Sequence, residues 1–232
     1  MRQVVLDTET TGLEVQRGHR VVEIGCVELV QRRRTGRDFH TWLNPERAID
    51  EGARAVTGIS DESLRDKPKF AQVAAEFLAF IDGAELIAHN AGFDIAFLDA
   101  EFARAGMEQI RLAQRNPVID TLELAREKFP GQRNSLDALC KRLDVDNSHR
   151  QQHGALLDAN LLVEVYLALT AGQGALGFGD EAGDTPVARR ASFHVGARPM
   201  LLRASEAELA LHEARLAVID KVAKGQCVWR RE

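Results

Sequence analysis

The apolar positions of this chain follow two periods. Residues 3–9 (QVVLDTE) form a short apolar run of strand length, 21–30 (VVEIGCVELV) a second with partial alternation, and 37–45 (RDFHTWLNP) a third; the turns between them predict an antiparallel meander. At Phe70 the spacing changes to that of a helix. Phe70, Val73, Ala74, Phe77 and Ile81 share one side over 70–81, and ELIAHN (85–90) then reads as a buried strand. A helix over 94–105, a short strand in PVIDT (117–121) and a helix over 154–169 complete an α/β order. Asp120, with Glu123 three positions on, has the form of a helix N-cap, and Ser135 is a second cap candidate.

After Ala171 the pattern breaks into GQGALGFGDEAGDTP, rich in glycine and poor in bulky apolar residues, which reads as a flexible linker. Helical spacing returns at Ser205. Ser205 and Glu208 form a capping box, Leu209, Leu216, Ile219 and Val222 an apolar stripe, and Gly225 a stop. Three segments follow: a domain over 1–171, a linker over 172–202 and a C-terminal segment over 203–232. The helix in the last segment lies apart from the main core, so its stripe calls for a partner, with Trp229 as an anchor.

Composition narrows this picture. A chain of 232 residues, 45% of them hydrophobic, can bury one substantial core and carry an appendage. It has no 18-residue apolar run, and it enters a strand at once without a signal-peptide pattern, which predicts a cytoplasmic protein. Cys26, Cys140 and Cys227 are odd in number and contain no C-x-x-C pair, so they read as packing thiols rather than a disulfide frame or zinc site. The net charge is −5 and the pI near 5.9, with the acidic excess inside residues 1–170. Such a domain lacks the basic footprint that drives DNA affinity, and should rely on metals at a phosphate and on a partner for delivery. The one basic run, Arg32–Arg34, reads as a solvated hairpin tip or, alternatively, as a DNA contact.

The chemistry is carried by acidic side chains inside apolar runs. Asp7 and Glu9 are two apart on a predicted strand and leave the same face. Asp94 lies in IAHNAGFDIAFLDAEF, and His153 and Asp158 in HGALLDAN. Unpaired charges there would be costly, so a positive partner is implied, and hard oxygen donors without clustered Cys or His select Mg²⁺ or Mn²⁺ over zinc. Two such ions can bind the attacking water and the leaving oxygen on opposite sides of one phosphate. His153 and Asp158 are five apart, about 140° around a helix, so they cannot both face the ions from mid-helix. His153 is therefore placed on the entering loop or the frayed first turn. His149 competes for its role as general base, a role suited to a group with an ordinary pKa of about 6.5.

The motifs DTETTG, HNAGFD, RNSLDALC and HGALLDA, in this order, closely resemble the 3′–5′ exonucleases named for their Asp, Glu, Asp, Asp and His residues. Within that family the similarity is to the proofreading epsilon subunits of bacterial DNA polymerase III; it covers residues 1 to about 170 and continues more weakly to the C-terminus. The resemblance implies a ribonuclease H-like fold, a mixed five-stranded sheet flanked by helices. It implies that Asp7 bridges two metals, that Glu9 and Asp158 complete the nucleophile-side ion, that Asp94 holds the other, and that His153 rather than His149 is the base. Thr8, Thr10, Thr11, Gly12, Leu13, Val56, His89, Asn90 and Phe93 match the segments that contact the 3′-terminal nucleotide. Thr57 stands where relatives often carry histidine. Gln173, Leu176 and Phe178 resemble a sliding-clamp-binding peptide. The implied activity is release of nucleoside 5′-monophosphates from mispaired DNA 3′ ends as a subunit of the replicative polymerase. Docking to the polymerase catalytic (alpha) subunit would run through 203–232 and clamp contact through 173–178, with room for a small accessory subunit. Two other readings share parts of this pattern: a free-standing 3′ exonuclease trimming RNA or short oligonucleotides, and an adaptor that tethers polymerase to clamp. The linker and docking helix disfavour the first, and the complete carboxylate set disfavours the second.

Overall fold

The computed structural model describes residues 1–148, 150, 152–171, 204–222 and 229. The chain divides into two compact units, Met1–Gly177 and Phe178–Glu232. In the first, β1 (Arg2–Thr10), β2 (Val21–Val30) and β3 (Arg33–Trp42) form the antiparallel meander, and β4 (Glu85–Ala88) and β5 (Val118–Asp120) add in parallel, giving the order β3-β2-β1-β4-β5. Central strands covered on both faces read as near-continuous apolar runs rather than alternating ones. This accounts for β2, buried at nine of its ten positions.

The pleat of β1 sorts its side chains between two cores. Val4 and Leu6 pack with Phe77 of α3 (Phe70–Ile81) and with Phe97 and Phe102 of α4 (Ala91–Arg104). Val5 points the other way, into a core with Leu139 of α7 (Leu136–Arg142) and Leu162 and Val163 of α8 (Ala155–Leu169). Phe77 is fully buried, and its truncation to alanine would cost about 3–5 kcal/mol. Asp7 and Glu9 continue the α8 side of β1, and Thr8 the α4 side.

One glycine controls how near α8 comes. Gly25 of β2 lies directly across from Asp7 in the ladder, and a Cβ on it would meet the backbone of Ala155 and Leu156 at 2.2–2.4 Å. Its bare backbone thus seats the first turn of α8 against the sheet, and Asp158 lies in that turn.

Several expected boundaries shift. The helix predicted over 94–105 begins at Ala91, because Asn90 enters it in the left-handed conformation (φ 67°) and the Asp120 carboxylate accepts from both Asn90 N and Ala91 N at 3.0 Å. Asp120 also caps α6 (Thr121–Lys128) through Leu122 N at 2.8 Å, so it is a capping residue, as its position suggested. The third strand starts at Arg33 rather than 37, and the turn falls on Gln31 and Arg32, both with positive φ. Arg32 bonds Thr170 and the Leu167 carbonyl, and Arg34 bonds Asn160 and Glu164, so this basic run is spent largely on α8. Short helices α1 (Glu51–Thr57), α2 (Asp61–Leu64) and α5 (Leu112–Arg115) carry too few periodic apolar positions to be predicted.

Cys26 and Cys140 are buried free thiols, and Cys227 lies outside the described residues. In the second unit, α9 (Glu206–Val222) carries the expected capping box: Glu208 N donates to Ser205 Oγ (3.3 Å) and Ser205 N to Glu208 Oε2 (2.7 Å). Leu209, Ile219 and Val222 are exposed, as is Trp229. The linker, the Gln173–Leu176–Phe178 motif, His149 and the Gly225 stop lie outside the described residues. Among those described, no helix is long and apolar enough to cross a membrane.

Candidate active site

The five expected groups line one open cavity of about 570 Å³ at the C-terminal end of β1. Asp7 and Glu9 reach it from one face of the strand. Asp158 comes from the first turn of α8 on that face, seated by Gly25. Asp94 arrives from the opposite layer, one turn into α4, where Asp120 fixes the helix start. Thr8, pointing away from its neighbours, donates to Asp94 Oδ1 at 2.7 Å and orients that carboxylate. His153 stands two residues before α8, off the helix, with its side chain 41% exposed. Its backbone N–H donates to the Val56 carbonyl of α1 at 3.2 Å. Glu9, His153 and Asp158 present ligand atoms within 4.8 Å of one another.

The electrostatics are those of crowded acids. Burial, then the neighbouring Asp94, Glu9 and Asp158, hold the Asp7 carboxyl well above its ordinary value. Burial, with Asp158 and Glu23, pushes Glu9 up to about 8. Asp94 rises to about 7, chiefly through burial, although its hydrogen bond from Thr8 pulls the other way. Like charges confined in a desolvated cleft disfavour their ionised forms, and a cation reverses that penalty. Oxygen donors in this number and crowding fit hard divalent cations.

The positive charge the sequence reading lacked is supplied in part by Arg150. Its buried guanidinium donates to both Asp158 oxygens (2.6 and 2.5 Å), to Asp137 Oδ1 (2.6 Å) and to His153 Nδ1 (2.8 Å). A guanidinium only donates, so Nδ1 accepts and the neutral imidazole carries its proton on Nε2. The only prior signal was adjacency, an arginine three residues before His153 in a polar loop. Glu23 was also missed; it lies across the ladder from Glu9 and pairs with His40 at 2.7 Å.

A second cavity of about 510 Å³ adjoins the first, sharing Thr8, Glu9 and Phe93. Its outer wall is Thr10, Gly12 and Leu13 on one side and α1, including Val56 and Thr57, on the other. Leu13 is 82% exposed, an apolar side chain at an open rim. Of the other residues expected near a terminal nucleotide, His89 lines the first cavity and pairs with Thr121 (2.9 Å), and burial lowers its pKa. Thr11 lies fully buried behind the wall, and Asn90 is exposed beyond both cavities. Thr57 turns its hydroxyl to the Ala53 carbonyl (2.9 Å), closing the end of α1.

A family profile described as "Exonuclease" (RNase T) matches residues 4–166. A DNA polymerase III subunit epsilon of Salmonella typhimurium (strain LT2) is 49% identical over 239 residues, covering 99% of this chain and 97% of that protein. Among solved structures, an exonuclease X in complex with 5′-overhanging duplex DNA superposes with a TM-score of 0.56 at 25% identity, covering 72% of this chain and 90% of its own. The nuclease domain of 3′hExo, a DEDDh family member bound to rAMP, gives 0.62 at 17% identity, with coverage of 72% and 90%.

Proposed function

This chain belongs to the exonuclease family, among proteins of the DNA polymerase III epsilon type, and is a DNA 3′–5′ exonuclease; from that premise we propose that it proofreads replication by removing mispaired 3′-terminal nucleotides. The observation that carries the reading is the convergence of Asp7, Glu9, Asp94, Asp158 and His153 on one cleft beside a mostly apolar cavity sized for a nucleotide.

Asp7, Glu9, Asp94 and Asp158 would hold two divalent cations, Mg²⁺ or Mn²⁺, Asp7 serving both, Glu9 and Asp158 the nucleophile-side ion and Asp94 the other. Bound there, the cations supply the Lewis acidity that activates water and steadies the leaving 3′ oxygen. Thr8 keeps Asp94 from turning away. His153 takes the proton of the attacking water at Nδ1, which faces Asp158 and becomes free to accept it only when the Arg150 donor has left that nitrogen. Thr10, Gly12, Leu13, Val56 and Phe93 receive the terminal sugar and base, with His89 at the edge of the cleft. Thr11 and Asn90 act through the backbone of the segments that carry these residues.

An acidic catalytic unit holds DNA weakly, so delivery falls to partners. The exposed apolar side chains of α9, with Trp229, suit the polymerase catalytic (alpha) subunit, and Gln173, Leu176 and Phe178 suit the sliding clamp. Tethering through the intervening segment would raise the local concentration of exonuclease at the primer end to about the millimolar range.

The deciding assay compares paired with mispaired 3′ ends, on DNA and RNA, for the full chain and for residues 1–172. Faster release from mispaired DNA by both chains, with polymerase binding lost on removal of 203–232, is the expected result. Preferential trimming of RNA, or equal polymerase binding by both chains, would overturn it.

A further inference from the structure

We propose that His19 is a positioning residue that sets the width of the second cavity by joining its two walls, and so governs how tightly the 3′-terminal nucleotide is held. The inference rests on reading that cavity as the nucleotide's place. The two walls come from distant parts of the chain, the segment after β1 and the start of α1. His19 is their buried connector. Its ring is 5% exposed, with Nδ1 3.0 Å from Thr11 Oγ1 and Nε2 3.4 Å from Asp50 Oδ2.

The backbone packed on the ring and around its two partners leaves it little freedom. A Cβ on Gly12 would lie 2.3–2.7 Å from three atoms of the imidazole, so Gly12 rests flat on the ring and only glycine permits that approach. Thr11 is clamped to Arg20, the residue after His19, by Thr11 N to Arg20 O (2.8 Å) and Arg20 N to Thr11 Oγ1 (3.0 Å). Asp50 N donates to Thr11 O at 3.0 Å, adding a backbone link to the side-chain one. Asp50 occupies the N-cap position of α1, yet its side chain caps nothing in that helix; it faces His19, with Arg47 at 3.9 Å. A residue that could have stabilised its own helix is spent on holding that helix to the Thr10–Leu13 turn. The tie extends further, because the far end of α1 accepts the His153 backbone N–H at Val56 O. Loosening His19 therefore widens the nucleotide wall and slackens one support of the candidate base.

The test uses the full chain and two small substrates. Thymidine 5′-monophosphate p-nitrophenyl ester carries a nucleoside to fill the cavity, whereas bis(p-nitrophenyl) phosphate carries none. His19→Leu keeps the bulk and loses both polar contacts, so the ratio of kcat/KM for the nucleotide ester to that for the bis-ester should fall about tenfold, mostly in KM, with dTMP inhibition weakened by the same factor, as expected for loss of about 1.4 kcal/mol. Asp50→Ala, at a half-exposed side chain that makes no cap bond to its own helix, should move the ratio the same way by about threefold, and decides the matter if His19→Leu does not fold. His19→Gln, able to keep one contact, should fall between His19→Leu and the natural protein. Equal losses on both substrates, or a ratio within about twofold of the natural protein for both variants, would overturn the proposal. If the natural protein itself does not prefer the nucleotide ester, the cavity has been misread and this inference falls with it.

Discussion

Both carboxylate oxygens of Asp158 are held by one guanidinium, that of Arg150, at 2.6 and 2.5 Å, and both side chains are buried. Removing one member of a buried ion pair strands the other, at a cost of about 3–5 kcal/mol. Arg150→Gln should therefore lower the melting temperature without added metal by about 10 °C. It should also enlarge the stabilisation produced by Mn²⁺, since the competitor for the Asp158 oxygens is gone. Thermal unfolding with and without Mn²⁺ checks both, and a metal-induced shift no larger than that of the natural protein would contradict the competition.

Asp7→Ala should nearly abolish hydrolysis while sparing the fold. Asp7 is buried within electrostatic reach of Glu9, Asp94 and Asp158, and it lines the cavity with them. Single-turnover rates in saturating Mg²⁺ are the measurement. Retention of more than about a tenth of the natural rate is incompatible with the shared-ligand role.

Replacing His153 by alanine should cost about 10² to 10⁴ in rate and flatten the acid limb of the pH–rate profile. The same substitution at His149 should do neither. A larger loss at His149 would reassign the base.

Metal-free stability should fall as pH rises. Glu9 is pushed up to about 8 and Asp94 to about 7, above the ordinary values of 4.5 and 3.8. Between those limits the folded chain binds more protons than the unfolded one, so this contribution is complete below about pH 4 and lost as pH climbs through 7 to 8. Divalent metal should reverse the loss. At a hundredfold excess over its Kd it adds about 2.7 kcal/mol, or about 5–10 °C for a domain of this size, with the larger gain at the higher pH. Melting curves from pH 4.5 to 8.5 in EDTA and in Mg²⁺ would show it; a metal-free midpoint rising over that range would contradict the assigned burial of these acids.

Much of this site was legible before any coordinates. Two-residue periodicity put Asp7 and Glu9 on one face, and the angle between His153 and Asp158 put the histidine in the entering loop or the first turn; it lies in the loop. Asp120 reads as a helix cap from Glu123 three positions on, and its two further bonds to Asn90 and Ala91 were invisible because they cross about 30 residues. Arg150 and His19 were hidden for a related reason. Each lies in a short polar stretch where local pattern says only that the side chain is solvated. Their partners lie up to 31 residues away, and only the packed fold shows them buried. Helix α1 escaped because most of its residues are exposed, and its role is to span two walls rather than to fill a core.

The strand that carries the first two carboxylates is the central strand of the sheet, while the last carboxylate is 151 positions later, in the final helix of the domain. A ribosome synthesising this protein therefore exposes Asp7 and Glu9 long before Asp158 exists. β1 can acquire β2 early, but its other neighbour, β4, and the α8 cover of its acidic face come only with later translation. On the proposed mechanism, phosphodiester cleavage cannot begin on a half-made chain, because no partial product holds the cluster. The placement of these few residues thus acts as a completion check, keeping a nuclease silent beside cellular nucleic acid until its whole domain has been made and folded.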